Sequence, residues 1–319
     1  MKNVISERIK ALENYSPEDT IDSKNLDEFW TLNINRFKNK PLNLKILETN
    51  TPFSLIEAFH CMFEGFDETP LFGWFLIPKF PVQERYPCAV IFHGYSGSKG
   101  LPEKHAALLM MGIAVFAVDI RGQGGETGNH LKSPHGMTAG WVTQGILEKE
   151  SSYFNAISID ALKAVEASVT MAKINKDEIF VMGDSQGGGL ALLTAALCEI
   201  PRFAIANIPN MCHMDYGLME SKGSLKEIAS FLNKFPNQTD RVVETLSYFD
   251  VMNMADRITI PILLSAGLKD EICLPETVYA AYNKIHSEKK INCFPFSGHE
   301  VSDYQKREGL LFIKKELGK

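Results

Sequence analysis

From residue 88 onward the chain alternates short, continuously apolar runs with segments of helix length. The runs are CAVIFHG (88–94), IAVFAVDI (113–120), EIFVMGDS (178–185), FAIANIP (203–209), ITIPILLSAG (258–267) and INCFPF (291–296). Between and after them lie helix-length segments near 102–111, at 152–173, from 187, near 275–286, and from the last run to about 317. A strand that reads as unbroken Val, Ile, Ala and Phe is apolar on both faces. Such strands belong in a mostly parallel sheet with helices on both sides, which is an α/β fold. Ahead of this region, runs at 44–48, 55–63 and 71–78 carry β patterning, and the last two are joined by the turn-rich EGFDETP. They predict antiparallel strands opening the sheet. The first forty residues are charged and amphipathic, with a helix expected near Leu26, capped by Asn25 or Ser23. Without repeats or a low-complexity linker, residues 1–319 read as one domain with an N-terminal helical extension over 1–40. Two segments, 121–150 and 210–257, interrupt the alternation. Insertions at the carboxyl ends of strands in such a sheet shape the active site.

GDSQGGG (183–189) lies between one of these strands and an Ala/Leu-rich helix. A phosphate-binding Walker loop needs a Lys after the glycines, and a dinucleotide fingerprint needs GxGxxG early in the chain. Neither pattern is present. Gly183-x-Ser185-x-Gly187 does fit a nucleophile elbow, in which a serine sits on a sharp turn and the residues two before and two after pass close by. Gly183 and Gly187 supply that small size, and the helix that follows points its amide dipole at the serine.

A nucleophilic serine needs a base and an acid that orients the base, following it in the order Ser, acid, His on loops after later strands. Asp270 follows ILLSAG, and His299 follows INCFPF. Glu271 is an alternative acid one residue further into the loop; Asp256 precedes its strand, and Asp184 is off-centre between the glycines. Among the other histidines, His60 sits in an early β run, His105 and His286 in helical segments, and His130, His135 and His213 in the insertions, where they are candidates for lining a pocket. An oxyanion needs two amide donors. Gln186 follows the nucleophile, and Tyr95 follows the His93–Gly94 turn at the end of an earlier strand, so these two amides are the expected hole.

A net charge of −6, with no long run of Lys or Arg, excludes a nucleic-acid partner. Polar residues break the N-terminal segment MKNVISERIK, which therefore does not read as a signal peptide, and no run is apolar for long enough to span a bilayer. The expectation is a soluble cytoplasmic protein. Cys61, Cys88, Cys198, Cys212, Cys273 and Cys293 are scattered singly, favouring free thiols over disulfides or a metal site. No cofactor is expected.

DIRGQGGETG, HGMTAGWVTQGIL, GDSQGGGLAL, ETLSYFDVMNMADR, GLKDEICLPETVYAAYN and FSGHE together resemble the acetyl xylan esterase/cephalosporin-C deacetylase family, carbohydrate esterase family 7. Its markers RGQ, GxSQG and HE stand here at 121–123, 183–187 and 299–300. The resemblance covers the chain from about residue 20 to its end. It implies an α/β-hydrolase fold, an intracellular homohexamer, no metal, and removal of acetyl groups from small esters. It also implies Ser185, Asp270 and His299 as a catalytic triad, Tyr95 and Gln186 at the oxyanion hole, and Arg121 and Gln123 as supporting residues that tie neighbouring loops together. Asp184 stands where the family usually has Gly; pointing inward it would raise the base's pKa, and pointing outward it would do little. The competing expectations are a dienelactone-hydrolase-like or other small-ester hydrolase on the same fold, a silent binding protein, and a nucleotide-binding protein.

Overall fold

The computed structural model describes residues 3–133 and 140–318. Over these residues one nine-stranded sheet runs in the order β1-β2-β3-β5-β4-β6-β7-β8-β9. Its strands are β1 (Lys45–Thr49), β2 (Ile56–Glu64), β3 (Pro70–Pro78), β4 (Tyr86–Phe92), β5 (Ala114–Val118), β6 (Ile174–Asp184), β7 (Ala204–Asn207), β8 (Ile262–Gly267) and β9 (Lys289–Phe294). The first three run antiparallel as expected, and β3 joins β5 antiparallel; from β5 to β9 every pair is parallel. Because β4 lies inside β5, the order reverses next to β6, and loops at the carboxyl ends of these strands open around a crevice there.

The double-sided burial read from the sequence has a direct counterpart. In β5, Ala114, Phe116 and Val118 pack into one core, while Val115 and Ala117 pack into a second on the opposite face. In β6, Val181 and Phe180 divide in the same way. Ten α-helices are described: α1 (Val4–Glu13), α2 (Ser23–Lys38), α3 (Ala106–Met110), α4 (Tyr153–Val169), α5 (Gln186–Leu197), α6 (Met214–Glu220), α7 (Ser224–Lys234), α8 (Thr239–Ser247), α9 (Pro275–Lys284) and α10 (Asp303–Glu316). The larger core takes Ile157 and Ala164 of α4, Leu190 and Leu193 of α5, and Val278 of α9. The smaller takes Leu108 and Leu109 of α3 and Ile313 of α10. This is the mostly parallel sheet covered on both faces that the alternation predicted.

Two local expectations change. The helix expected near Leu26 starts at Ser23, and its cap is Asp22, not Asn25 or Ser23: the Asp22 carboxylate accepts the Lys24 and Asn25 amides. A carboxylate there also favours the positive end of the helix dipole. His286 lies past the end of α9, exposed, because that helix stops at Lys284. The 210–257 insertion forms α6, α7 and α8.

Candidate active site

β6 ends at Asp184, α5 begins at Gln186, and Ser185 is the hinge between them, with φ 56° and ψ −119°. Such a conformation costs a non-glycine residue on the order of 1–3 kcal/mol and persists only where its surroundings hold it. Here they do. The Ser185 amide donates to Asn207 O at 2.9 Å, and Ser185 O accepts the amides of Gly189 and Asn210 at 3.0 and 2.9 Å. The flanking glycines are required by contact. A Cβ on Gly187 would lie 2.1 Å from Phe92 O, and one on Gly183 would lie 2.4 Å from Gly187 backbone atoms. Backbone cannot yield as a flexible side chain can, so the β4, β6 and α5 backbones close together only at glycine.

Ser185 Oγ lies 3.0 Å from His299 Nε2, and His299 Nδ1 lies 2.8 Å from Asp270 Oδ2. His299 follows β9 and Asp270 follows β8, so two loops from adjacent strands deliver the imidazole and its carboxylate to the serine. The Asp270 side chain is fully buried, and its other oxygen accepts the amides of Ile272 and Cys273 at 2.8 and 2.9 Å. Burial of the His299 ring opposes its cation. The hydrogen bonds and charges of Asp270 and Cys273 together outweigh that, and the His299 pKa stands above an ordinary histidine's. Glu271, the alternative acid, instead pairs with Lys222 at 2.6 Å on the surface. Asp184 points outward: it is exposed and accepts a hydrogen bond from Asn207 Nδ2 at 2.9 Å.

A cleft of about 640 Å³ opens over Ser185 and His299, with Tyr95, Ser96, Trp141 and Asn210 in its walls. The loop bearing Tyr95 is braced by His93, whose Nε2 accepts the Ile120 amide at 2.8 Å and whose Nδ1 donates to Gly94 O at 2.8 Å. Burial pushes the His93 pKa down and keeps the ring neutral, as that pair of bonds requires. Gln123 ties this loop to the elbow. Its Oε1 accepts the Ser96 amide at 2.8 Å, and its Nε2 donates to Gln186 Oε1 at 2.7 Å and to the Tyr153 hydroxyl at 2.8 Å. The Tyr153 hydroxyl in turn donates to Arg121 O at 2.6 Å. Arg121 is fully buried and does not line the cleft: it grips Asp160 with two nitrogens, at 2.6 and 2.9 Å, and reaches Asp67 at 3.0 Å. Tyr95 and Gln186 thus sit on two segments cross-braced by one amide side chain.

Two neighbours of the serine have no motif in the sequence. Cys273 Sγ is buried 3.8 Å from Ser185 Oγ, and Asn210 Nδ2 donates to that sulfur at 3.5 Å. Cys273 comes three residues after Asp270 in the chain, so the loop that delivers the acid also carries the thiol. Of the remaining histidines, His130 is exposed, and His213 is buried with its ring 3.3 Å from the Tyr15 hydroxyl; neither lines the cleft. His135 lies outside the described residues. His60 stacks on Phe72 and bonds Glu126 at 3.0 Å, and His105 donates to Lys99 O at 2.9 Å. Among the described residues no cluster of His, Cys, Asp and Glu could hold a metal ion, and no helix is long and apolar enough to cross a membrane.

Comparison with known proteins adds to this geometry. An acetyl xylan esterase from Paenibacillus sp. R4 superposes with a TM-score of 0.93 at 34% identity, covering 96% of this chain and 99% of that one. Acetyl xylan esterase 1 from Thermoanaerobacterium sp. JW/SL YS485 superposes at 0.90 with 27% identity, covering 97% and 98%. The acetyl esterase Axe7A of Xylanibacter ruminicola is 24% identical over 316 residues, 95% of this chain and 70% of that protein. The acetyl xylan esterase family profile matches residues 3–316. The chain belongs to the acetyl xylan esterase family, carboxylic ester hydrolases on the α/β-hydrolase fold.

Proposed function

We propose that this chain is a serine-dependent acetyl esterase that works through an acetyl-enzyme, in a single α/β-hydrolase domain. The observation that carries the reading is the continuous hydrogen-bonded line from Ser185 Oγ through His299 to buried Asp270, at 3.0 and 2.8 Å. In the first half-reaction Ser185 Oγ attacks the acetyl carbonyl carbon while His299 Nε2 takes its proton. The carbonyl oxygen becomes an oxyanion, met by the amides of Tyr95 and Gln186. Collapse of this intermediate breaks the ester bond, and the imidazolium returns its proton to the departing alcohol. Water then attacks the acetylated Ser185 with His299 again as base, and acetate leaves. Asp270 holds the Nδ1–H tautomer and stabilises the cation formed at each step. Gly183 and Gly187 allow the elbow, and Gln123 with Arg121 keeps the two oxyanion-hole segments in register.

The alcohol portions we propose are acetylated xylo-oligosaccharides and cephalosporin C-like esters, taken up by a homohexamer in the cytoplasm. Initial rates on p-nitrophenyl acetate, butyrate and octanoate test the acyl side. With Asn210 and Cys273 beside the serine, acetate is expected to be fastest, by about tenfold or more over octanoate. A faster octanoate rate would contradict the acetyl reading.

A further inference from the structure

Asn210 stands in the wall of the cleft over Ser185 yet is only 7% exposed, and its surroundings fix its position. Its backbone amide donates to Ser185 O at 2.9 Å, and its carbonyl packs so close to α5 that a Cβ on Gly189 would come within 2.4 Å of it. Ile208 and Met211 hold positive φ of 39° and 61°, so the loop after β7 turns sharply on either side of it. The side-chain amide has one orientation. Its Oδ1 accepts the Met211 amide at 2.7 Å, and a flipped group would set NH₂ against that N–H. Nδ2 therefore turns the other way, where one hydrogen reaches Cys273 Sγ at 3.5 Å. The two N–H bonds of an amide diverge, so the second cannot serve the same sulfur. That second hydrogen has no partner among the described residues, and the cleft is the space this residue borders.

The place of this donor in the reaction decides what it can recognise. Cys273 Sγ, its neighbour, lies 3.8 Å from Ser185 Oγ and also interacts with the His299 ring. On the acetyl-esterase reading, the oxyanion turns to the amides of Tyr95 and Gln186, and the departing oxygen turns to His299, which returns the proton to it. Asn210 is thus on the side of the departing alcohol. On that side, a hydroxyl on the carbon next to the acetylated one is the first substrate oxygen beyond the ester. We propose that Asn210 is a specificity-determining residue whose Nδ2 donates to this neighbouring hydroxyl, favouring acetyl esters of vicinal diols, such as partly acetylated sugars, over acetates of simple alcohols. Because the loop is already held in place, little ordering cost offsets the new bond. The inference rests on the acetyl-esterase reading and refines it. Acetylated xylo-oligosaccharides with a free neighbouring hydroxyl can make this bond; cephalosporin C-like esters, whose acetylated carbon has no oxygen-bearing neighbour, cannot.

Two acetates of matched size test it: 2-hydroxyethyl acetate and propyl acetate. With each rate divided by that of alkaline hydrolysis, to remove leaving-group differences, wild-type kcat/KM is expected to be about 3–10-fold higher for the hydroxyethyl ester. Asn210→Leu and Asn210→Ala should both erase this preference. A loop merely loosened by the substitution would instead lower both rates and keep their ratio. Kd values for the same two esters on Ser185→Ala, from ligand-observed NMR titration, should differ in the same direction and involve no turnover. Failure of the esterase reading would show as absent wild-type turnover, and failure of this inference as equal Kd values. Equal corrected kcat/KM and equal Kd for the pair would overturn the proposal. So would a hydroxyethyl preference that survives unchanged in both Asn210 variants.

Discussion

Ser185→Ala is expected to lower kcat on p-nitrophenyl acetate by about 10⁵–10⁶-fold, leaving only what the oxyanion donors and binding provide over water. The fold should be untouched. The positive φ at 185 is held by backbone hydrogen bonds to Asn207, Gly189 and Asn210, none of which uses the serine hydroxyl. Removing Oγ therefore takes the attacking atom and its bond to His299 Nε2 and little else. A melting temperature near wild type together with this rate loss separates a chemical role from a structural one. Circular dichroism melting and steady-state rates on one preparation check both halves.

Asp270→Asn should cost about 10⁴-fold in kcat by a different route. Asp270 Oδ1 already accepts two amides, from Ile272 and Cys273. In an asparagine the amide oxygen must keep that place, because an NH₂ group there would face two donors. The NH₂ then faces His299 Nδ1, which has to become an acceptor. The ring proton moves to Nε2, the nitrogen that should receive the proton from Ser185, and the base is blocked. The pH profile carries a second signature. Burial of the His299 ring works against its cation, yet Asp270, with Cys273 beside it, outweighs that and raises the pKa. The reaction needs neutral imidazole, so wild-type activity is full above the His299 pKa and lost as pH falls through it, at a pH above the ordinary histidine range near 6.5. Removing the carboxylate charge should move the residual acid limb to lower pH. A Asp270→Asn enzyme with near wild-type kcat would mean that the ring is oriented by something else.

The sequence carried the architecture well where physics writes it locally. Strands β4, β5, β7 and β8 are buried on both faces, and that alone produces their unbroken apolar runs; Val115 and Phe116 enter opposite cores, so neither can be polar. The elbow was legible because Gly183 and Gly187 answer to contacts with the Phe92 and Gly187 backbone that no side chain survives. The positions of Asp270 and His299 followed from chain order, since each comes directly after a strand of the sheet. What stayed hidden is long-range pairing. Nothing near Arg121 in the chain announces Asp160 or Asp67, and nothing near Gln123 announces Gln186, 63 residues away. The 210–257 segment was legible only as an insertion, and it takes the fold to bring the start of α7 to the wall of the cleft. The Asp22 cap was missed for a smaller reason: three residues within four positions, Asp22, Ser23 and Asn25, could each cap a helix, and propensity does not choose between neighbours.

The most direct test of the central claim is to react the protein with diethyl p-nitrophenyl phosphate and find the modified residue by peptide mass spectrometry. A nucleophile with a base 3.0 Å away should be phosphorylated once, at Ser185, with activity lost in step with labelling. Modification confined to Cys273 or another side chain, or full activity in a protein labelled at Ser185, would contradict the account.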